Sequence, residues 1–282
     1  MTVAQTLGIL HPGSMGAAVA TCAASTGTTV LWCLQGRSPA TVARAEQAGL
    51  VAARSLGELL ERCEVVLSLC PPANAEDVAH QVAAVGFAGV FVEGNAISPE
   101  RVKRIAKLVG VNASAVVDGA VIGSPPVGGK TAKLHLSGPR SGIEAVASLF
   151  TGTALETPVV GAQVGQASAL KISYTAYQKA SRVLVALAYG LAEHHGVGPA
   201  LLDVAGKRQG SYLSETGYIA TTARRAWRWA PELAEAADAL REAGLPDEVL
   251  RAVATTLASW SAAKDDAELT VEDALRLLEG PR

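Results

Sequence analysis

Up to about residue 160, short apolar runs of strand length alternate with stretches of helical periodicity. Thr6 to Leu10, Thr28 to Cys33, Glu64 to Leu69, Val90 to Glu93 and Ala115 to Ile122 read as strands. Between them, Ser14 to Ser25, Ser38 to Ala48, Asn74 to Val85 and Ser98 to Val109 read as helices. Several open on Ser or Asn, whose side-chain oxygen can satisfy a free N–H of the first turn, and Ser98-Pro99-Glu100 adds a proline at the first helical position. Such alternation implies a parallel sheet with crossover helices. Beyond Gly161 the strand signals stop. Gln163 to His195 reads as one long, Ala-rich helix ended by Gly196, with shorter helices after it and breaks at Pro199, Pro231, Gly244-Leu245-Pro246 and Asp265. The expectation is an α/β domain with a mostly parallel, doubly wound sheet over residues 1–161. An all-helical domain over 162–282 follows, beginning with a long interdomain helix.

Composition narrows the function classes. Among 282 residues, 49% are hydrophobic and 18% charged, which excludes a disordered chain. The 24 Lys and Arg against 26 Asp and Glu leave a net charge of -2 with no long run of one sign, so the footprint of a nucleic-acid binder is missing. Cys22, Cys33, Cys63 and Cys70 form no CxxC pair and lie in apolar stretches, so they read as buried reduced thiols of a cytoplasmic protein. The first residues carry no basic leader, and no apolar run reaches the 18 or more residues that would span a bilayer, so neither secretion nor membrane insertion is indicated.

The first candidate chemistry lies in Thr6-Leu7-Gly8-Ile9-Leu10-His11-Pro12-Gly13-Ser14-Met15-Gly16, where a strand turns tightly into a helix. Two of the three glycines of a GxGxxG dinucleotide turn are present. Gly13 would let the backbone approach a pyrophosphate, Gly16 would let the helix pack on the strand, and the N–H groups from Ser14 and Met15 onward would face the phosphates. His11 occupies the place of the first glycine, with Pro12 after it. About 20 residues on, where NAD-specific turns place an acid for the ribose hydroxyls, the chain has Trp32-Cys33-Leu34-Gln35-Gly36-Arg37-Ser38 and no carboxylate. Arg37 and Ser38 suit a 2′-phosphate instead, so the expected cofactor is NADP(H). Cys70, Pro71, Pro72 and Asn95 stand at the ends of the later strands, at the carboxyl edge where open α/β sheets bind ligands.

In the long helix, Lys171, Tyr174, Thr175, Gln178 and Arg182 share one side. A polar stripe on a central helix has to be satisfied by partners, water or a ligand, so Lys171 is either a general acid/base lysine or the partner of a structural ion pair.

Taken in order, GILHPGSMG, LCPPA, EGNAISP, GSPPVGG after Asp118, and GQASALKISYTAYQK resemble the β-hydroxyacid dehydrogenase and 6-phosphogluconate dehydrogenase superfamily. The C-terminal portion, with Arg225-Ala226-Trp227-Arg228-Trp229 and Ala243-Gly244-Leu245-Pro246, is most similar to a branch with a phosphogluconate dehydrogenase-like, NAD-binding C-terminal domain. The resemblance implies a Rossmann domain, a long interdomain helix and a helical domain that builds a homodimer with active sites in interdomain clefts. It implies that Lys171 exchanges the proton of the substrate alcohol while a hydride passes to or from the nicotinamide, and that Asn95 lines the nicotinamide site. A buried lysine with a lowered pKa is suited to that exchange.

Three positions depart from the family pattern. Thr175 stands where an asparagine is usual, with Tyr174 before it, so the hydrogen bonding around the reacting oxygen differs. The serine of the family's SGG substrate loop aligns with Ile122, leaving Gly123 and Ser124 as the nearest equivalents, and His11 replaces the first cofactor glycine.

The resulting expectation is an NADPH-dependent oxidoreductase of a small hydroxy or keto substrate. Lys171 would carry the proton, Tyr174 and Thr175 would orient the reacting oxygen, and Ser124, Gly123 and Gln178 would bind substrate. Imine reductases, which resemble the same superfamily but usually lack the lysine, give the alternative of C=N reduction, and a non-catalytic NADPH-binding protein is the third reading. His194 and His195 read as a helix end, with no third ligand at metal spacing. Trp227 and Trp229, among Arg224, Arg225 and Arg228, read as an interface or cleft rim, and Tyr212 and Tyr218 as part of a loop.

Overall fold

A computed structural model describes residues 5–194, 196–207, 215–242 and 246–279. Two compact units are present, one ending at Lys171 and the other beginning at Ile172.

The first unit opens with β1 (Thr6–Ile9), α1 (Ser14–Ala24), β2 (Thr29–Cys33), α2 (Pro39–Gln47), β3 (Val51–Ala53), α3 (Leu56–Arg62) and β4 (Val65–Ser68). It continues through α4 (Ala75–Val85), β5 (Val90–Glu93), α5 (Pro99–Val109) and β6 (Ala115–Gly123). These six strands are parallel in the order β3-β2-β1-β4-β5-β6, the doubly wound arrangement expected from the alternation. β7 (Ala132–Ser137) then pairs antiparallel to β6, and after α6 (Arg140–Ser148) the short β8 (Leu155–Glu156) and β9 (Val159–Gly161) both pair with β7.

Helices on both faces explain why the inner strands are continuous apolar runs. Val65 and Leu67 of β4 join one core with Val30 and Trp32 of β2 and Val19 and Ala23 of α1. The intervening Val66 joins the opposite core with Leu31 and Cys33, under α3, α4 and α5. This two-residue alternation is the pleat itself.

In the second unit, α7 (Gln166–His194), which starts in the first unit, is followed by α8 (Gly198–Gly206), α9 (Tyr218–Glu242), α10 (Glu248–Ala258) and α11 (Val271–Leu278). Its core is built at helical spacing from Ile219, Ala223, Ala226, Trp229 and Leu233 of α9 with Leu250, Val253 and Leu257 of α10. Trp260 is fully buried there, and its Nε1 donates to the Ala274 carbonyl at 2.6 Å.

Several expectations are corrected here. α9 runs through Pro231 without ending, because the apolar residues on either side of the proline are held in one core. Trp229 belongs to that core rather than to a rim, while Trp227 is exposed with the Lys264 ammonium 4.3 Å from its ring centroid. Tyr218 is the first residue of α9 and stacks on the Arg182 guanidinium at 4.3 Å, so it is not in a loop. Gly196, at φ +70°, follows the end of α7 as expected, whereas His195, Tyr212, Gly244 and Leu245 lie outside the described residues.

α7 is pinned to the sheet by one carboxylate. Asp118 of β6 is fully buried and faces Ser137, its cross-strand partner on β7. Asp118 Oδ2 accepts from Gly165 N and Ser168 N, both at 2.9 Å, and from Ser137 Oγ at 3.1 Å, while Oδ1 accepts from Ser168 Oγ at 2.6 Å. Ser137 Oγ in turn accepts from Ala167 N at 3.0 Å. Substituting Asp118→Ala leaves four buried donors without this acceptor, a loss of about 3 kcal/mol or more. The expected result is a lower urea midpoint at unchanged slope; a variant unfolding with the parent would refute this role.

Candidate functional site

The turn after β1 is shaped by Gly16. A Cβ there would lie 2.3 Å from the His11 carbonyl oxygen, so α1 can approach the turn only with glycine at this point. Gly13 is the N-cap of α1 and supplies no side-chain acceptor to the first turn, and a Cβ built on it meets nothing within 4 Å. The N–H end of α1, beginning at Ser14, thus faces open space, while Met15 packs against the core and Pro12 is buried.

His11 is half-buried, and its Nδ1 has no hydrogen-bond partner. Burial first, and the Arg37 charge second, lower its pKa to about 4, so the ring is neutral at physiological pH. His11 lines a pocket of about 240 Å³ with Leu10, Cys33, Gln35 and Arg37 from the ends of β1 and β2, Leu56 of α3, and Val78 and Gln81 of α4. Arg37 is fixed there: Nη2 donates to the Leu10 carbonyl at 2.9 Å and Nε to the Cys33 carbonyl at 3.3 Å. Ser38 instead caps α2, its Oγ accepting from Thr41 N at 3.3 Å and lying 3.1 Å from Thr41 Oγ1. Open helix N–H groups, an orphaned imidazole nitrogen and a guanidinium lining the pocket together fit a dinucleotide. Arg44, which the sequence pattern does not distinguish from a solvated helix arginine, donates from Nη1 to the Pro12 carbonyl at 3.3 Å.

At the ends of β4 and β5 a second set of residues is interlocked. Asn95 is buried, its Oδ1 accepting from Cys70 N at 2.6 Å and its Nδ2 donating to Ser68 Oγ at 3.1 Å. The carboxamide therefore ties two loops together. Pro71 is extended and Pro72 opens a short 3-10 turn whose carbonyl accepts from Arg101 Nη2 at 3.0 Å. Cys70 is half-buried, unlike Cys22, Cys33 and Cys63, and burial followed by the nearby Glu93 raises its pKa to about 11. It is a thiol, not a thiolate, at neutral pH.

Glu93 ends β5 and opens the EGNAISP segment, where the sequence assigns it no role of its own. It is fully buried; Oε1 accepts from Asn95 N at 3.0 Å and Oε2 meets no donor. Burial raises its pKa to about 8, with Asp118 adding to the shift and the Asn95 bonds and Arg101 opposing it.

The remaining candidates are spread along the chain. Gly123 ends β6 and Ser124 follows it, both exposed. Lys171 is half-buried and engaged in an interaction, Thr175 is buried, and Tyr174 is exposed, with its Oη 3.2 Å from Gln178 Nε2. The structure thus gathers the cofactor candidates at one sheet edge and orders the catalytic candidates along α7. Among the described residues, no three His, Cys, Asp or Glu side chains are grouped to hold a metal ion, and no helix is long and apolar enough to cross a membrane.

The buried Glu93 carboxyl generates a pH prediction. Its folded pKa of about 8 lies above the ordinary value of 4.5, so the native state holds a proton that the unfolded chain releases. Its contribution to stability is present below pH 4.5 and is lost as pH rises toward 8. Glu93→Gln should gain on the parent across that window, by roughly 1.4 kcal/mol per pH unit at most. Melting temperatures of both proteins across the window test this, and parallel profiles would sink it.

The comparisons agree with this architecture. An uncharacterized 28.5 kDa protein in the 7S RNA 5′ region of Methanothermus fervidus is 27% identical over 178 residues, 63% of this chain and 67% of that one. A conserved protein of unknown function with reported structural similarity to 3-hydroxyacid dehydrogenases is 25% identical, with a TM-score of 0.69 over 92% of this chain and 98% of that one. The fold is also that of Mycobacterium tuberculosis 3-hydroxyisobutyrate dehydrogenase, at 20% identity and a TM-score of 0.79 over 99% and 100% of the two chains. An imine reductase from Pseudomonas sp. shares it at 19% identity and a TM-score of 0.59 over 98% and 100%. A domain of unknown function, DUF1932, matches residues 192–260. Residues 6–161, more than half of the chain, match the NAD binding domain of 6-phosphogluconate dehydrogenase, and the protein belongs to that family.

Proposed function

We propose that the protein is an NADP(H)-dependent oxidoreductase acting on a small hydroxy or keto substrate, with Lys171 as general acid/base. Arg37 carries the cofactor assignment: a guanidinium anchored at the end of β2, lining the pocket, with no carboxylate in the turn around it. A carboxylate there would accept ribose hydroxyls and repel a 2′-phosphate, and a guanidinium does the reverse. The family's NAD binding domain and the fold shared with a 3-hydroxyisobutyrate dehydrogenase support the redox reading.

When bound, the dihydronicotinamide supplies a hydride. The chain's task is to hold the substrate and move a proton at Lys171 Nζ, accepting it when an alcohol is oxidised and returning it when a carbonyl is reduced. Tyr174 and Thr175 flank one another on α7 and would orient the reacting oxygen. Gln178, bonded to Tyr174, would fix the phenol, and Gly123 and Ser124 would meet a polar group of the substrate. Reduction of a C=N bond competes with this reading through the fold shared with an imine reductase. Lys171 separates the two, because an ammonium group beside a protonated imine is repulsive while beside an alkoxide it is favourable.

Fluorescence titration should show NADPH binding at least tenfold tighter than NADH, and Arg37→Ala should abolish most of that preference. An unchanged ratio would refute the assignment. With a panel of keto acids and cyclic imines, followed by loss of reduced-cofactor absorbance, Lys171→Ala should lower turnover of the active keto acid by about 10²-fold or more while NADPH binding persists. Full activity in that variant, or oxidation by imines alone, would overturn the role given to Lys171.

A further inference from the structure

Two guanidinium groups reach the turn after β1 from different elements. Arg37, from the loop after β2, donates to the Leu10 carbonyl at 2.9 Å; Arg44, from the middle of α2, donates to the Pro12 carbonyl at 3.3 Å. The two carbonyls flank His11. Both arginines are half-buried, and the hydrogen bonds of both end on backbone carbonyls rather than on carboxylates.

Bracing a loop through its carbonyls requires a donor, not a charge. Both cations are held on one short turn through backbone carbonyls, and the charge of Arg37, after burial, lowers the His11 pKa between them to about 4, a mark of positive potential at the turn. Only an anion offsets such an arrangement. Ser38 caps α2, its Oγ accepting from Thr41 N and lying beside Thr41 Oγ1.

We infer that Arg44 and Arg37 together form a clamp for the phosphate monoester on the adenosine ribose of NADP(H), with Arg44 added to the Arg37 and Ser38 that the sequence assigns. This rests on the NADP(H) reading and deepens it by naming a second specificity residue. A monoester near neutral pH carries more charge than either phosphate of a pyrophosphate, so a pair of guanidinium groups suits it. The pyrophosphate has its own donors at the N-terminus of α1.

The test is equilibrium titration of the full chain with NADPH, NADH and adenosine 2′,5′-bisphosphate at two salt concentrations. Arg44→Gln keeps a donor for the Pro12 carbonyl and removes the charge. It should weaken NADPH and the bisphosphate tenfold or more, leave NADH within twofold, and flatten the salt dependence of NADPH binding. Arg44→Lys, which keeps the charge and loses the fork, should fall between. NADH affinity reports that each variant is folded. Equal weakening of NADPH and NADH would make Arg44 a brace for the turn and overturn the clamp. Parent-like binding in Arg44→Gln, with the NADPH preference lost in Arg37→Ala, would overturn the clamp and leave the cofactor reading standing. A parent protein with no preference for NADPH would overturn both.

Discussion

The buried Asp118 carboxylate is the constraint on which the rest of the first unit's working edge depends. It sits where parallel pairing ends, on β6, opposite Ser137 of the antiparallel β7, and it collects donors from both the neighbouring strand and the first turn of α7. A charge removed so completely from water needs compensation. Four hydrogen bonds and the positive end of a 29-residue helix supply it without a cation. Because Ser168 gives Asp118 both its backbone N–H and its hydroxyl, the rotation of α7 about its axis is set at that residue. Lys171 follows three positions later, so a change at Asp118 is transmitted along the helix to the proposed acid/base.

How much of this is legible in the sequence depends on whether a feature is local. β4 and β5 are readable because strands buried on both faces are apolar at every position, and α5 because Ser98 and Pro99 announce its start. β3 and α3 escape notice: three residues, two of them exposed, carry no period, and the helix after them is only seven residues long. β7 alternates in burial as an antiparallel strand should, yet it follows the glycines and prolines of residues 123–129, which dominate the local signal. Pro231 shows the opposite failure. A strong local breaker is overruled by the apolar stripe of α9, whose burial against α10 outweighs one lost helix bond.

The candidate site divides in the same way. Gly16 is legible because a dinucleotide turn demands a glycine where helix and strand touch, and the 2.3 Å approach of the His11 carbonyl is the reason. The bonds of Ser38, Asn95 and Arg44 are not, because each is decided by a partner distant in sequence or by a local bond. Asn95 is tied to Cys70 through its Oδ1 and to Ser68 through its Nδ2, partners 25 and 27 residues earlier in the chain. Arg44 looks like any helix arginine until the fold brings Pro12, 32 residues earlier, within reach.

The carboxyl edge of the sheet is consequently polarised. On the β1–β2 side stand two guanidinium groups and a neutral imidazole; on the β4–β5 side stand a carboxyl and a thiol that burial keeps protonated, with the Arg101 guanidinium on the Pro72 carbonyl. Glu93 is the telling residue, because an ionised carboxylate there would lie in the field of Asp118, with one oxygen meeting no donor. Remaining protonated removes that repulsion and lets Oε1 serve only as an acceptor for Asn95 N, which holds the Asn95 amide against Cys70 and Ser68. The buried Asp118 carboxylate is thereby met by the first turn of α7, Arg101 by the Pro72 carbonyl and Glu76, and, among the described residues, Arg37 and Arg44 by backbone carbonyls alone.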